Sequence, residues 1–362
     1  MTKKSITAMS RAGVILLLLT VFMPLMAQVE TTPMKPGRTP EGVVYFLPKT
    51  AIQFNLLIEK RTYTPGDFSK YAEKYLRLPG IEQEEQVSYS IARYNITQIG
   101  IRDTSKCFAV KLKGGKCENA DIKLSDDGVL LAVNAEPVAQ KLQLPFKAAP
   151  RAEEVNPRQY LNAEVLSAGS LAKMAELTVQ QIIELQEHRQ QLITGEADDM
   201  PQDEQQLRLM IEEIDKEREA LMSMFTGTTR RDTTEKVIVI CPEKEVKREV
   251  IFRLSQKLGL VDKDDLSGIP YYMTIEDLHH TTLQKYDIPE NKKEGGFYVN
   301  VPGRIKLTLQ REDHQLLSTD IYAAQFGFVE LRSGSLFKRY VTHMTLNPFT
   351  GSVDKIHADP SK

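Results

Sequence analysis

The chain contains no tryptophan, only three cysteines and only six histidines. It also has no apolar run of the ~20 residues needed to span a bilayer as a helix. Each shortage removes a class of function. Without tryptophan the commonest aromatic platform for a sugar ring is missing, although thirteen tyrosines are there to take that part. The odd set Cys107, Cys117 and Cys241 cannot close a disulfide framework. Cys107 and Cys117 are near enough in sequence to pair in an oxidising compartment. A two-residue hairpin tip at Gly114-Gly115 would instead set Leu112 opposite Cys117. Cys241, closing the run Val237-Ile238-Val239-Ile240, reads as a core residue. His279 and His280 are adjacent, and neighbours on a strand point to opposite faces, so no metal site is expected. Asp262, Asp264 and Asp265 lack the glycine and closing glutamate of a calcium loop, Ser267 standing where the glycine belongs. No nucleophile elbow and no phosphate-cradling glycine loop is found, and no cofactor is expected.

What is present begins with an export signal. Lys3, Lys4 and Arg11 precede the apolar run Val14 to Phe22, and Ala27 ends the segment before Gln28. A basic stretch, a short apolar stretch and a small residue form a secretory leader, here 1–27. No cysteine stands at the cleavage point for lipid attachment, and no transmembrane span is expected in the mature chain. Losing three basic residues takes the net charge from -2 to -5, which gives the protein no electrostatic reason to hold nucleic acid.

Residues 28–42 are rich in threonine and proline and read as an extended leader without a core. From Val43 the pattern alternates, with Ile52, Phe54, Leu56 and Ile58 on one strand face. Phe68, Tyr71, Ala72, Tyr75 and Leu76 make a short amphipathic helix whose aromatic face is expected to pack on a sheet. Strand signals then run to Val133, so 43–135 reads as a mostly antiparallel β-rich domain with one helix. Residues 136–169, punctuated by Pro137, Pro145, Pro150 and Pro157, read as a linker, with Leu142, Leu144 and Phe146 held against a surface.

Residues 170–227 read as a helical hairpin. Ser170 caps the first helix and Gly195 ends it. Pro201 suits the first turn of the second, in which Leu207, Ile211, Ile214, Leu221 and Phe225 form an apolar seam interrupted at Arg218. The tip carries Glu196, Asp198 and Asp199, which can either meet a basic partner or serve the turn, Asp199 and Gln202 having capping-box spacing. After Gly227 nine short strands are expected, so 228–358 reads as a second β-rich domain. The fold class is α+β: two β-rich, mostly antiparallel domains with the long hairpin between them.

Several stretches together resemble a known family. Tyr45-Phe46-Leu47-Pro48-Lys49-Thr50, Tyr63-Thr64-Pro65-Gly66, Leu192 to Asp198, Leu221 to Gly227, Gln325-Phe326-Gly327 and Asn347-Pro348-Phe349-Thr350-Gly351 are similar to exported Bacteroidetes proteins grouped as domain of unknown function 4831. The resemblance implies a Gram-negative cell envelope and brings no catalytic residues with it. Asp232-Thr233-Thr234 resembles the short O-glycosylation acceptor of such organisms. The expectation is an exported, periplasmic or envelope protein that binds or scaffolds envelope proteins or glycans without catalysis. Its contact residues would be Glu196, Asp198 and Asp199 at the hairpin tip. The alternatives are a carboxylate-dependent hydrolase on the second β domain and a glycan-binding module with tyrosines along one sheet face.

Overall fold

The computed structural model describes residues 28–33, 42–113, 120–138, 146, 155–198, 200–201, 203–283, 296–333, 337 and 340–359. The secretory leader 1–27, Cys117, Leu142, Leu144, Asp199 and Gln202 lie outside them. Thirteen strands run through the described residues: β1 Gln28–Pro33, β2 Val43–Thr64, β3 Gln86–Lys113, β4 Ile122–Leu124, β5 Leu130–Val133, β6 Thr228–Ile240, β7 Val246–Ser255, β8 Gly259–Val261, β9 Ile269–Thr281, β10 Gly296–Arg311, β11 His314–Ser333, β12 Val341–Leu346 and β13 Val353–Asp359. Four α-helices join them: α1 Ala72–Leu76, α2 Ala163–Leu166, α3 Leu171–Thr194 and α4 Glu204–Thr226.

The strands form three sheets with antiparallel ladders, in the orders β1-β3-β2-β6, β11-β10-β9-β7-β8 and β13-β12-β5-β4. The sheets do not divide where the composition of the chain does. β6, from the second half, pairs along its whole length with β2, and β12 pairs with β5. β1, expected in a coreless leader, pairs with the end of β3.

The physical reason lies in β2. Its 22 residues keep presenting apolar side chains to successive cores, and no single sheet of the first half could cover them. Tyr45 and Leu47 join Phe108, Leu130, Val133, Phe297, Met344 and Leu346 in one cluster. Ile52 and Phe54 meet Met273, Ile275, Ile305 and Leu307 in a second, and Leu56 and Ile58 meet Phe252 and Tyr271 in a third. Each such buried side chain contributes roughly 1.5–3 kcal/mol of transfer free energy, so the long strand ties both halves of the sequence into shared cores.

The hairpin is where its end signals place it. Ser170 accepts from the Lys173 N–H, and Gly195 ends α3 in the left-handed conformation. The second helix starts later than Pro201: Asp203 is its cap, accepting from the Gln206 N–H at 2.7 Å. Its base is a core. Phe68, Ala72, Leu161, Val165, Ala175, Leu177, Ile182, Leu221, Met224 and Phe225 are packed together. Two expectations are corrected here. The aromatic face near α1 packs on the hairpin and not on a sheet, the ring centroids of Phe68 and Phe225 being 5.3 Å apart. The stretch expected as a linker supplies Leu161 and Val165 from a 3-10 turn at Pro157–Tyr160 and from α2, each capped by an asparagine side chain.

Two changes test these contacts. Tyr45 is buried, its hydroxyl accepts from the Tyr298 N–H at 2.8 Å, and burial raises its pKa well above 10. A raised pKa stabilises fully below about pH 10, and that contribution is lost as pH rises, because the unfolded chain ionises first. Tyr45→Phe is expected to cost about 1 kcal/mol at neutral pH and to make the alkaline decline shallower, measured as urea midpoints from pH 8 to 11. Gln325→Ala, which removes side-chain bonds to both backbone groups of Thr50 and to the Pro242 carbonyl, is expected to cost about 2–3 kcal/mol with an unchanged urea m-value.

Candidate functional site

Most of the stretches that carry the family resemblance converge in space at two places, while Leu192 to Asp198 lies apart from both at the tip of the hairpin. At the first, Thr50 on β2 donates through Oγ1 to the Phe349 carbonyl and accepts from the Ala324 N–H. Gln325 on β11 accepts from the Thr50 N–H at 3.0 Å and donates to the Thr50 carbonyl at 2.8 Å. Asn300 on β10, 1% exposed, donates to the Pro48 and Thr350 carbonyls. Gly327 is required because a side chain there would sit 1.8 Å from the Val301 carbonyl oxygen, where the β10–β11 ladder shifts register. Lys106 donates to Asn300 Oδ1 from a half-buried position, and desolvation lowers its pKa.

At the second place, the hairpin base meets the end of β2. Phe68 donates from its backbone to the Met224 carbonyl at 2.7 Å, and Tyr63 donates to the Thr226 carbonyl. Gly66 lets the two chains approach, since a Cβ there would lie 2.2 Å from the Met224 oxygen. These motifs therefore hold backbone against backbone.

Beyond its base the hairpin leaves the core. Between the helices the middle contacts are polar: Gln181 donates to Glu217 at 3.1 Å, and Arg189 pairs with Asp215 at 2.8 Å. Arg218, the residue that interrupts the seam, lies 3.4 Å from the same Asp215. Farther out, Leu207, Ile211 and Ile214 are half-buried along the seam and Leu192 is buried. Apolar side chains off the seam stand in solvent on both helices: Ile183 is 50% exposed, Ile193 51% and Leu209 59%, with Met210 also exposed. Sequence reading followed the seam and passed over Ile183, Ile193 and Leu209. Their off-seam positions on amphipathic helices were the available signal.

At the tip Glu196 and Asp198 are exposed. The Glu196 N–H donates to the Gln191 carbonyl, and its carboxylate accepts from Thr194 Oγ1 at 3.2 Å. The Asp199–Gln202 capping box lies outside the described residues, and the observed cap is Asp203. The methionines of the second helix, readable in sequence as a binding face or as packing against the first helix, split: Met224 is buried at the base and Met210 is exposed on the arm.

The other expected positions are dispersed. A shallow, open depression is lined by Glu243, Lys244, Glu245, Asp277, His279, Gln325, Phe326 and Gly327. Its acids have partners: Glu243 pairs with Lys49 at 2.8 Å, Glu245 accepts from the Asp277 N–H, and Asp277 accepts from the His279 N–H. His279 has a positive φ of 51° at a bulge in β9, so strand alternation does not govern the histidine pair. Asp265 accepts from the Ser267 N–H, and that hydrogen bond lowers its pKa. Of the tyrosines, Tyr45 and Tyr271 are buried in different cores, while the exposed Tyr94 and Tyr322 lie on strands of different sheets. They form no single row. Cys241 follows β6 half-buried, its thiol 3.9 Å from the Thr50 carbonyl and its pKa raised by burial. Asp232-Thr233-Thr234 lies on β6, where Asp232 pairs with Arg230 and Thr234 is exposed.

No helix among the described residues is long and apolar enough to cross a membrane. No curated protein and no solved structure matches the chain. A family model described as "Domain of unknown function (DUF4831)" matches residues 41–354. That span takes in both knots of backbone contact, all of the hairpin and strands of all three sheets, and on it the chain belongs to the DUF4831 family.

Proposed function

We propose that this chain is an exported cell-envelope protein that binds or scaffolds other envelope components without catalysing a reaction, and that the helical arm is its contact element. The observation that supports this is the contrast along one hairpin. Its base is bonded and packed like a domain interior, while its outer half keeps Ile183, Ile193, Leu209 and Met210 in water. Exposed apolar side chains on a projecting helix pair suit a protein surface that receives helices in a groove. The basic and apolar leader supports export, and the acids that line the open depression are held by structural partners.

Photo-cross-linkers at Ile193 and Leu209 in intact cells are expected to trap a discrete protein. Replacing residues 184–213 by a short Gly/Ser turn is expected to abolish that association while the core stays folded, because the buried base begins below the cut. An unaltered set of associations in the shortened protein would sink the proposal. The tip carboxylates are separable from stability. Glu196→Ala and Asp198→Ala are expected to change it by less than about 0.5 kcal/mol. Asp203→Ala is expected to cost about 1 kcal/mol, seen as faster amide exchange in the first turn of α4.

A further inference from the structure

The outer edge of β6 carries an inference independent of the arm. All thirteen residues of this strand pair with β2, from Thr228 opposite Thr64 to Ile240 opposite Ile52, without a register shift. The pairings of β2 with β3, of β10 with β11 and of β7 with β9 all carry shifts. Among the described residues no strand lies on the other side of β6. A long, straight edge without proline or bulge presents a row of backbone donors and acceptors, and natural sheets blunt or cover such edges. Here the outward face also leaves Val237 54% and Val239 49% exposed, while Ile238 and Ile240 turn into the core.

We propose that this edge is covered by the same strand of a second copy of the chain, antiparallel about a twofold axis through Thr234. The charge sequence selects that occupant and that register. Full overlap places Thr228 opposite the partner's Ile240 and Asp232 opposite the partner's Lys236, an ion pair that symmetry makes twice. Thr233 then faces the partner's Glu235, Arg231 faces the partner's Val237, and no two like charges meet. Other registers are poorer. One residue one way sets Asp232 opposite the partner's Glu235 and Arg231 opposite the partner's Lys236. Two residues that way pair Arg231 with the partner's Glu235 but set Arg230 opposite the partner's Lys236, so that like charges offset the gain. One residue the other way loses the ion pairs, and two set Glu235 against the partner's Glu235. Directly opposed charges of unlike sign stabilise antiparallel strands and like charges destabilise them. Within one chain Asp232 accepts from Arg230 Nε through Oδ2, and its carboxylate keeps lone pairs that can accept from the partner's lysine.

The test is a charge exchange followed by sedimentation velocity on the purified protein, with far-UV circular dichroism and thermal midpoints confirming that each variant is folded. The wild type is expected to dimerise. Asp232→Lys alone and Lys236→Asp alone place like charges opposite each other, and each should weaken the dimer roughly tenfold or more. An equimolar mixture of the two single variants should form a heterodimer, and the double variant should dimerise like the wild type. A monomeric wild type, single variants that dimerise undiminished, or a mixture that stays monomeric would each overturn the proposal.

Discussion

Thr50 is the residue on which the architecture turns. It sits 1% exposed in the middle of β2, and its backbone and side chain are both satisfied from far away in the chain, by Gln325, Ala324 and Phe349. A buried backbone group left unpaired costs on the order of 1–3 kcal/mol, and this one cannot be satisfied by strand neighbours alone where β11 and the 347–351 loop cross it. Asn300 does the same for Pro48 and Thr350 a few residues away. These side-chain amides act as connectors between sheets that share no ladder. The long apolar strand can therefore pass from one core to the next while its polar backbone stays paired.

Among the described residues the hairpin is bound to this frame at its root alone. Phe225, Leu221 and Met224 close a core with Phe68 and Val165, and α4 runs straight into β6, which returns to β2. At the edge of that root the buried Gln181 donates to Glu217; farther out the helices carry the half-buried Leu207, Ile211 and Ile214 and the pair Arg189–Asp215, of modest worth where solvent reaches it. The structure thus concentrates its stability at the base and leaves surface to spare on the arm. That division makes contact with a partner a more economical reading than catalysis.

The two proposed contact surfaces differ in kind. The arm offers side chains without a fixed edge, and β6 offers backbone groups in a fixed register with a self-complementary charge order. One suits a partner with its own groove, the other a copy of the same strand. Both lie outside the two backbone knots that hold most of the family motifs. In this chain most of the signature stretches mark where the fold is tight, while Leu192 to Asp198 lies on the arm itself and carries the exposed Ile193.

Local chemistry was enough to place the elements whose signals are short-range. The alternation from Ile52 to Ile58 marks a strand, and Ser170 and Gly195 mark the ends of a helix, because period and capping are set by neighbours within a turn. The same signals could not place the start of the second helix, since Pro201 and Asp203 are both acceptable there and Asp203 prevails by bonding Gln206. Nor could they show that β6 would pair with β2, that Leu161 would serve the hairpin core, or that Gln325 would bind Thr50 across 275 positions. Glu196 and Asp198 were legible as tip residues, whereas the exposure of Ile193 and Leu209 was not. Sequence by itself determined the kinds of element and their ends, which depend on neighbours along the chain. Only the tertiary structure decided which surfaces were covered, because burial depends on residues that meet through space.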